Sequence, residues 1–280
     1  MLSLQQETQN PISSGKMRAV HARRHALTYT GKRMPRTPKA SAAAPEPYLR
    51  PEAITFLRNL GKHNDRDWFQ PRKADFEALL KEPMLAIVRK VTEAMIDFAP
   101  DHVRPAEKSV FRIYRDTRFS HDKRPYKTHV AAWWTHMGFD KTSGAGYYFQ
   151  VSPKGVVIAA GAYMPEKEQL AAIRNWLLEN HEEFRKILKK PAVRKAFSEF
   201  EGEALTRPPK GFPADHPGMD LIRCKQWGMS STLPAGAAQR KDFVKVLVKH
   251  FKLLSPMVNA LNTPIAASIS PKRKVLFGLH

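Results

Sequence analysis

Between Phe111 and His129 the chain reads FRIYRDTRFSHDKRPYKTH, a run dense in groups that bind or transfer charge. From Glu107 to His129 there are seven Lys or Arg against three acids. The guanidinium forks of Arg112, Arg115 and Arg118 suit the planar oxygens of a phosphate or carboxylate, and Lys123 and Lys127 add point charges. Ser120, Tyr114 and Tyr126 supply neutral donors. If a strand from Phe111 pairs with one from Thr128, the intervening loop returns its cations toward Arg112. That is the composition of an oxyanion pocket, with Arg112, Arg115, Arg118, Ser120, Lys123, Tyr126 and Lys127 as the expected ligand-binding set.

The acids and histidines of the same run admit catalysis. Under one reading Asp116 or Asp122 acts as a general base or a Mg²⁺ ligand beside a bound phosphate, and His129 or His121 moves the proton. Under the other, each aspartate holds a neighbouring arginine or caps a turn through its own backbone, and His129 is an edge or core histidine. No other cofactor and no dedicated metal site is expected. The chain has no GxxxxGK[ST], no GxGxxG opening a helix after a strand, no HExxH, no GxSxG and no CxxC. The sequence therefore names no reaction and leaves open whether the protein is an enzyme.

The surrounding segments decide how this run is held. Pro51, Ile54, Leu57 and Leu60, closed by Gly61, predict a short helix. The knot Asn64, Asp65, Arg66, Asp67, Trp68, Phe69 reads as a capped turn whose rings plug the core. Pro71 opens a second helical pattern through Phe76, Leu79 and Leu80, and Pro83 kinks or restarts it before Ile87, Val88, Val91 and Met95. The apolar period then changes from about 3.6 to 2 residues. Phe111, Ile113 and Arg115 fall on one face of a predicted strand, with Arg112, Tyr114 and Asp116 on the other.

Residues 128–136 predict another strand, in which adjacent Trp133 and Trp134 point to opposite faces. GYYFQVSPKGVVIAAGAYMP reads as a hairpin turning at Ser152 to Gly155. Its second half holds Ala159, Ala160, Gly161 and Ala162, small enough for a helix or a ligand to approach closely. Further helices are predicted from Pro165 through Leu177, from Pro191 to near Gly202 and from about Gln239 to Leu261, with a strand in LIRCKQWGM. The terminal PKRKVLFGLH is basic and ambiguous. The expected fold is α+β, a mainly antiparallel sheet of about four to six strands with helices packed from the N- and C-terminal segments. Residues 50–280 read as one domain and 1–49 as a disordered basic arm. A true start at Met17 or Met34 and an organellar transit peptide are the other readings of that arm.

The formal net charge is +21. Residues 1–49 hold eight Lys or Arg against two acids, which leaves 39 against 24 in the body, an excess of about +15. The imbalance belongs to the domain as well as to the arm, and it favours anionic partners: a phosphorylated or carboxylated small molecule, or nucleic acid. Trp133, Trp134, Tyr147, Tyr148 and Phe149 interleave with basic segments and, where exposed, would stack bases. The single Cys224 allows no intrachain disulfide and predicts no disulfide-linked partner. No uncharged apolar run approaches the roughly 20 residues that cross a bilayer, so no membrane insertion is expected and the protein reads as soluble and cytoplasmic.

FRIYRDTRFSHDKRPYK, Trp68 and Phe69, the GYYFQVSPKG hairpin, GAYMPE from Gly161 to Glu166 and RPPKGFPADHP occur in an order that, over most of residues 51–260, resembles a widespread family of uncharacterised, mostly bacterial proteins. The resemblance implies a single domain, supplies no activity, substrate, cofactor or catalytic residue, and marks the basic arm as an addition. The leading expectation is a basic pocket for a phosphorylated or carboxylated ligand, with or without catalysis. A nucleic-acid-binding surface and a protein-interaction module are the alternatives.

Overall fold

Proline at a first helical position costs no hydrogen bond, and Pro51 opens α1 (Pro51–Lys62), whose buried face is Ala53, Ile54, Phe56, Leu57 and Leu60. The computed structural model describes residues 45–139, 144–197 and 199–269. The predicted arm lies outside these residues except at its end, where Leu49 is fully buried and its N–H donates to Ala238 O at 2.8 Å. The terminal PKRKVLFGLH lies outside them too.

After α1 the chain makes the capped turn that the knot predicts: the Asp65 carboxylate accepts the Trp68 N–H at 2.7 Å and Phe69 is buried. Short helical turns follow to Phe76, then a wide π-type turn, Glu77–Lys81. The widened turn sits just before Pro83, which cannot donate a backbone bond, and α2 (Glu82–Met95) runs on from there. Met84, Ile87, Val88, Val91 and Met95 form its buried stripe.

The sheet comprises β1 (Val130–Trp134), β2 (Gly146–Ser152) and β3 (Gly155–Ala162), then β4 (Glu199–Glu201) and β5 (Trp227–Leu233). All pairings are antiparallel and the spatial order is β1-β2-β3-β5-β4. Between β3 and β4 lies α3 (Lys167–Lys189), opened by a reciprocal cap between Glu166 and Gln169. The last helix, α4 (Phe243–Ser268), lays Phe243, Leu247, Phe251, Leu254, Val258, Leu261 and Ile265 into the core and continues through Pro256 and Pro264. The protein is thus α+β, with an antiparallel sheet of five strands among the described residues.

Three expected elements differ. The segment from Phe111 is not a strand: it makes only isolated bridges, Val110 with Ala132 and Tyr114 with Tyr126, and straps the outer edge of β1. Of the predicted inner row only Ile113 is buried, while Phe111 is 39% exposed, so no apolar row locks a register. The helix from Pro191 stops at Ala196, and β4 follows it. LIRCKQWGM begins as a helical turn, Met219–Ile222, and becomes a strand only at Trp227.

Alternation decides the two faces of the sheet. Trp134, Tyr147, Phe149, Val151, Val156, Ile158, Ala160, Trp227 and Met229 are buried in the core. Their neighbours Trp133, Tyr148, Gln150, Val157, Ala159, Gly161, Gly228 and Ser230 are only partly covered. One face is therefore packed and the other is accessible, as antiparallel sheets permit.

Candidate functional site

The loop from Asp116 to Pro125 spends most of its charge on itself. Asp116 accepts from Arg118 Nε at 3.0 Å, Arg118 Nη2 at 2.8 Å and the Arg118 backbone N–H at 3.2 Å. Asp122 repeats the motif with Arg124 (Nη2 at 2.6 Å, backbone N–H at 3.1 Å) and is also paired with Arg115 Nη1 at 2.7 Å. Arg115 further donates to Arg124 O at 3.2 Å and reaches Ser120 Oγ at 3.5 Å; Lys123 Nζ donates to Thr117 O at 3.0 Å. Hydrogen bonds from Arg118 push the Asp116 carboxyl down to about 2, and those from Arg124 hold Asp122 well below the usual carboxylate range. Such carboxylates are poor proton acceptors near neutrality. The oxygens of both aspartates meet arginine and backbone donors, the arrangement that the turn-capping reading of these residues expects.

The other expected residues separate into two groups. Tyr126 is 1% exposed and its ring stacks on Phe69 at 4.1 Å, so it is a core residue rather than a surface donor. Asn64 fixes its backbone from both sides: Asn64 Nδ2 donates to Tyr126 O and the Tyr126 N–H donates to Asn64 Oδ1, each at 3.0 Å. This amide imitates a strand partner, and nothing in the local pattern of Asn64 signals it. Arg112, Lys127 and His129 stand apart from the ion-paired loop. Lys127 Nζ lies 4.8 Å over the Phe111 ring. Among the described residues neither Arg112 nor Lys127 has a carboxylate within 4.0 Å. Burial and then the Arg112 charge lower the Lys127 ammonium; burial and then Lys127 lower His129.

The accessible face of the sheet forms a groove of about 590 Å³, which shares its Phe111 wall with the cavity of about 390 Å³ that Arg112 lines. Its floor is read directly from the register: the row Trp133, Tyr148, Ala159, Ser230, with Gly146, Gly161 and Gly228 to one side and Val157 and Thr232 to the other. Phe111 walls it, with ring centroids 6.4 Å from Trp133 and 6.3 Å from Tyr148. Gly146 lets the Trp133 indole lie flat, since a Cβ there would meet Trp133 Nε1 at 2.5 Å. Tyr163 closes the far end. Tyr148 donates its hydroxyl to Gln150 Oε1 at 2.7 Å, and burial pushes its phenol up to about 12. The small residues of β3 divide by parity: Ala160 and Ala162 lie in the core, Ala159 and Gly161 floor the groove.

A buried polar clamp holds the strand that carries Tyr148. Asn262 Oδ1 accepts the Ala145 N–H at 2.7 Å, its Nδ2 donates to Ala145 O at 3.0 Å, and His102 Nε2 meets the same carbonyl at 3.1 Å. Burial lowers His102 to about 4, so it is neutral near pH 7 and donates that bond. Sequence reasoning missed the clamp, the β5 side of the groove and the wall of Phe111. A signal for the second existed in WGMSSTL, whose Gly228, Ser230 and Thr232 recur at every other position.

Among the described residues no group of three or more His, Cys, Asp or Glu is placed to hold a metal ion. None of their helices is long and apolar enough to cross a membrane. No curated protein and no solved structure matches the chain. Residues 52–259 match the family described as "Conserved hypothetical protein (DUF2461)", a span that takes in the strap, the loop and every strand of the groove, and the chain belongs to that family.

Proposed function

We propose that the accessible face of the sheet binds a small anionic ligand that carries a flat apolar group. The observation that carries this reading is a ring-lined groove of about 590 Å³ walled by Phe111, whose ring carries the Lys127 ammonium at 4.8 Å and also borders the neighbouring cavity that Arg112 lines. A groove of that size lies within the range of small-molecule sites. Trp133, Tyr148 and Phe111 offer faces and edges for stacking, while Ala159, Gly161 and Gly228 leave depth for a ring. Arg112, across the Phe111 wall in the neighbouring cavity, suits a phosphate or carboxylate, and the net charge of +21 draws anions from a distance. The basic site of the sequence reading keeps its sign but moves from the loop to the edge of the groove. With both aspartates occupied, binding rather than acid–base chemistry is the function this geometry supports.

Tryptophan fluorescence titration with adenosine 5′-monophosphate and with adenosine tests the reading. The phosphate-bearing probe should bind at least about tenfold more tightly, a difference of about 1.4 kcal/mol; Arg112→Ala should abolish that advantage, and Trp133→Ala should weaken both probes. Equal affinity for the two probes, or an unaltered Trp133→Ala variant, would sink it. Single-stranded nucleic acid is the second reading, favoured by three ring-bearing side chains on one face of a sheet. It requires that an oligothymidylate bind far more tightly than the mononucleotide, with affinity falling steeply as salt rises.

A further inference from the structure

The strap along the edge of β1 borders the second cavity, of about 390 Å³, whose interior the groove reading leaves unused. Among the described residues the two cavities share Phe111 alone. Residues 110–114 of the strap all line the second one, and so does the π-type turn, through Glu77 and Lys81. Phe69, Phe76, Met84, Leu85, Ile113 and Val130 make its inner surface apolar. Its volume falls within the range of small-molecule sites and equals that of about a dozen waters at roughly 30 Å³ each.

The charges around this cavity do not cancel. Its two carboxylates face cations, Glu77 with Lys81 at 3.9 Å and Glu107 with Arg89 at 2.8 Å. Lys73 and Arg112 line it as well, and neither has a carboxylate within 4.0 Å among the described residues. Asp116, on which the Arg112 charge acts, is already held by Arg118. Arg112 also springs from a pinned backbone: the Phe111 N–H donates to Ala131 O at 3.0 Å, and Ile113 O accepts the Lys127 N–H at 2.8 Å. A guanidinium without an anion, fixed beside an apolar wall, is complementary to a carboxylate that carries an apolar tail.

We propose that this cavity binds a monocarboxylate with an acyl chain of medium length, the carboxylate on Arg112 and the chain along Phe76, Met84 and Val130. The lining holds three cations, Lys73, Lys81 and Arg112, against two carboxylates, so one negative charge brings it to neutrality. Tyr114 is its only neutral polar side chain among the described residues, so the tail needs no polar group, and the adaptable Met84 suits a flexible chain. The site is separate from the groove, and the proposal goes beyond the groove reading.

Calorimetric titration of the full chain with decanoate, decanol and acetate tests it. Decanoate should bind at least about tenfold more tightly than the alcohol, and acetate should give no measurable binding. Arg112→Gln should erase the advantage over the alcohol, and Arg112→Lys should restore part of it. Val110→Trp, which fills the cavity from the strap, should abolish decanoate binding and leave a titration with adenosine unchanged. Equal affinity for decanoate and the alcohol, an unaltered Arg112→Gln variant, or undiminished decanoate binding by Val110→Trp overturns the proposal. The Arg112 side chain is exposed, so its variants decide the matter even where Val110→Trp does not fold. Adenosine that fails to bind while decanoate behaves as expected sinks the groove reading and upholds this one.

Discussion

The loop of residues 116–125 and the accessible face of the sheet are opposites in how they use polar groups. The loop is rich in charge and closes on itself, with every carboxylate and most cations partnered within ten residues of sequence. The sheet face carries little charge and its rings are only partly covered, while Arg112 and Lys127, one beside Phe111 in the chain and one over its ring, have no carboxylate within 4.0 Å among the described residues. Charge density and available charge are therefore different quantities. In each of the two Asp-x-Arg motifs the aspartate, two residues before the arginine, binds both its side chain and its backbone N–H. Binding capacity remains where the partners are missing.

The largest test of this contrast concerns the floor of the groove. Gly161 has φ +144°, and a Cβ there would lie 2.1 Å from Trp227 O. Gly161→Ala should cost about 3 kcal/mol or more in denaturant unfolding, from strained backbone and overpacking together. A near-neutral result would mean that the floor yields and the groove is not preformed. No single alanine in the loop should approach that loss.

Acid should separate the two regions next. His102 titrates at about 4 when folded and near 6.5 when unfolded, so below 6.5 the unfolded chain takes up the proton first. Its stabilising contribution is full above pH 6.5 and is lost on descending to pH 4, by roughly 3 kcal/mol. Asp116 and Asp122 have folded values below their unfolded ones, so their contribution is full above about pH 4 and vanishes as pH falls toward 2. Amide exchange along a pH series should therefore loosen β2 before the loop; the reverse order would break the comparison.

Asn64→Ala should cost about 2 kcal/mol, since the Tyr126 N–H and C=O lose their partner together. It should also weaken the ligand by displacing Lys127, which a simple surface change would not do. The smallest effect is the sharpest: Arg112→Ala with Lys127→Ala should lower anion affinity about tenfold or more, whereas Arg118→Ala with Arg124→Ala should leave it unchanged. Similar losses from both pairs would mean that the loop, not the groove, binds the ligand.

Much of this was legible in the chain. Pro51 and Gly61 bracket α1, the Ser152 to Gly155 turn makes its hairpin, and the alternation around Trp133 and Trp134 separates a groove residue from a core residue. Such features depend on backbone sterics and on solvent avoidance within a few residues. The strand predicted from Phe111 failed because its alternation was genuine but its inner row was not: only Ile113 found a core to enter. The local pattern also could not tell whether a cation is already satisfied. Asp116 and Arg118 stand as close in sequence as Asp122 and Arg124, but nothing nearby indicates that Arg112 and Lys127 go without carboxylates.

The sequence by itself determined the α+β class, the excess of positive charge, the two-faced sheet and the family. These follow from composition, period and local geometry. Tertiary structure alone decided that Asn64 would grip Tyr126 from 62 residues away, that Phe111 would leave the sheet to wall a groove, and that β5 would supply the far half of its floor. Those contacts join segments with no local reason to meet, and only the packing of the whole chain specifies which of its cations remain unpaired.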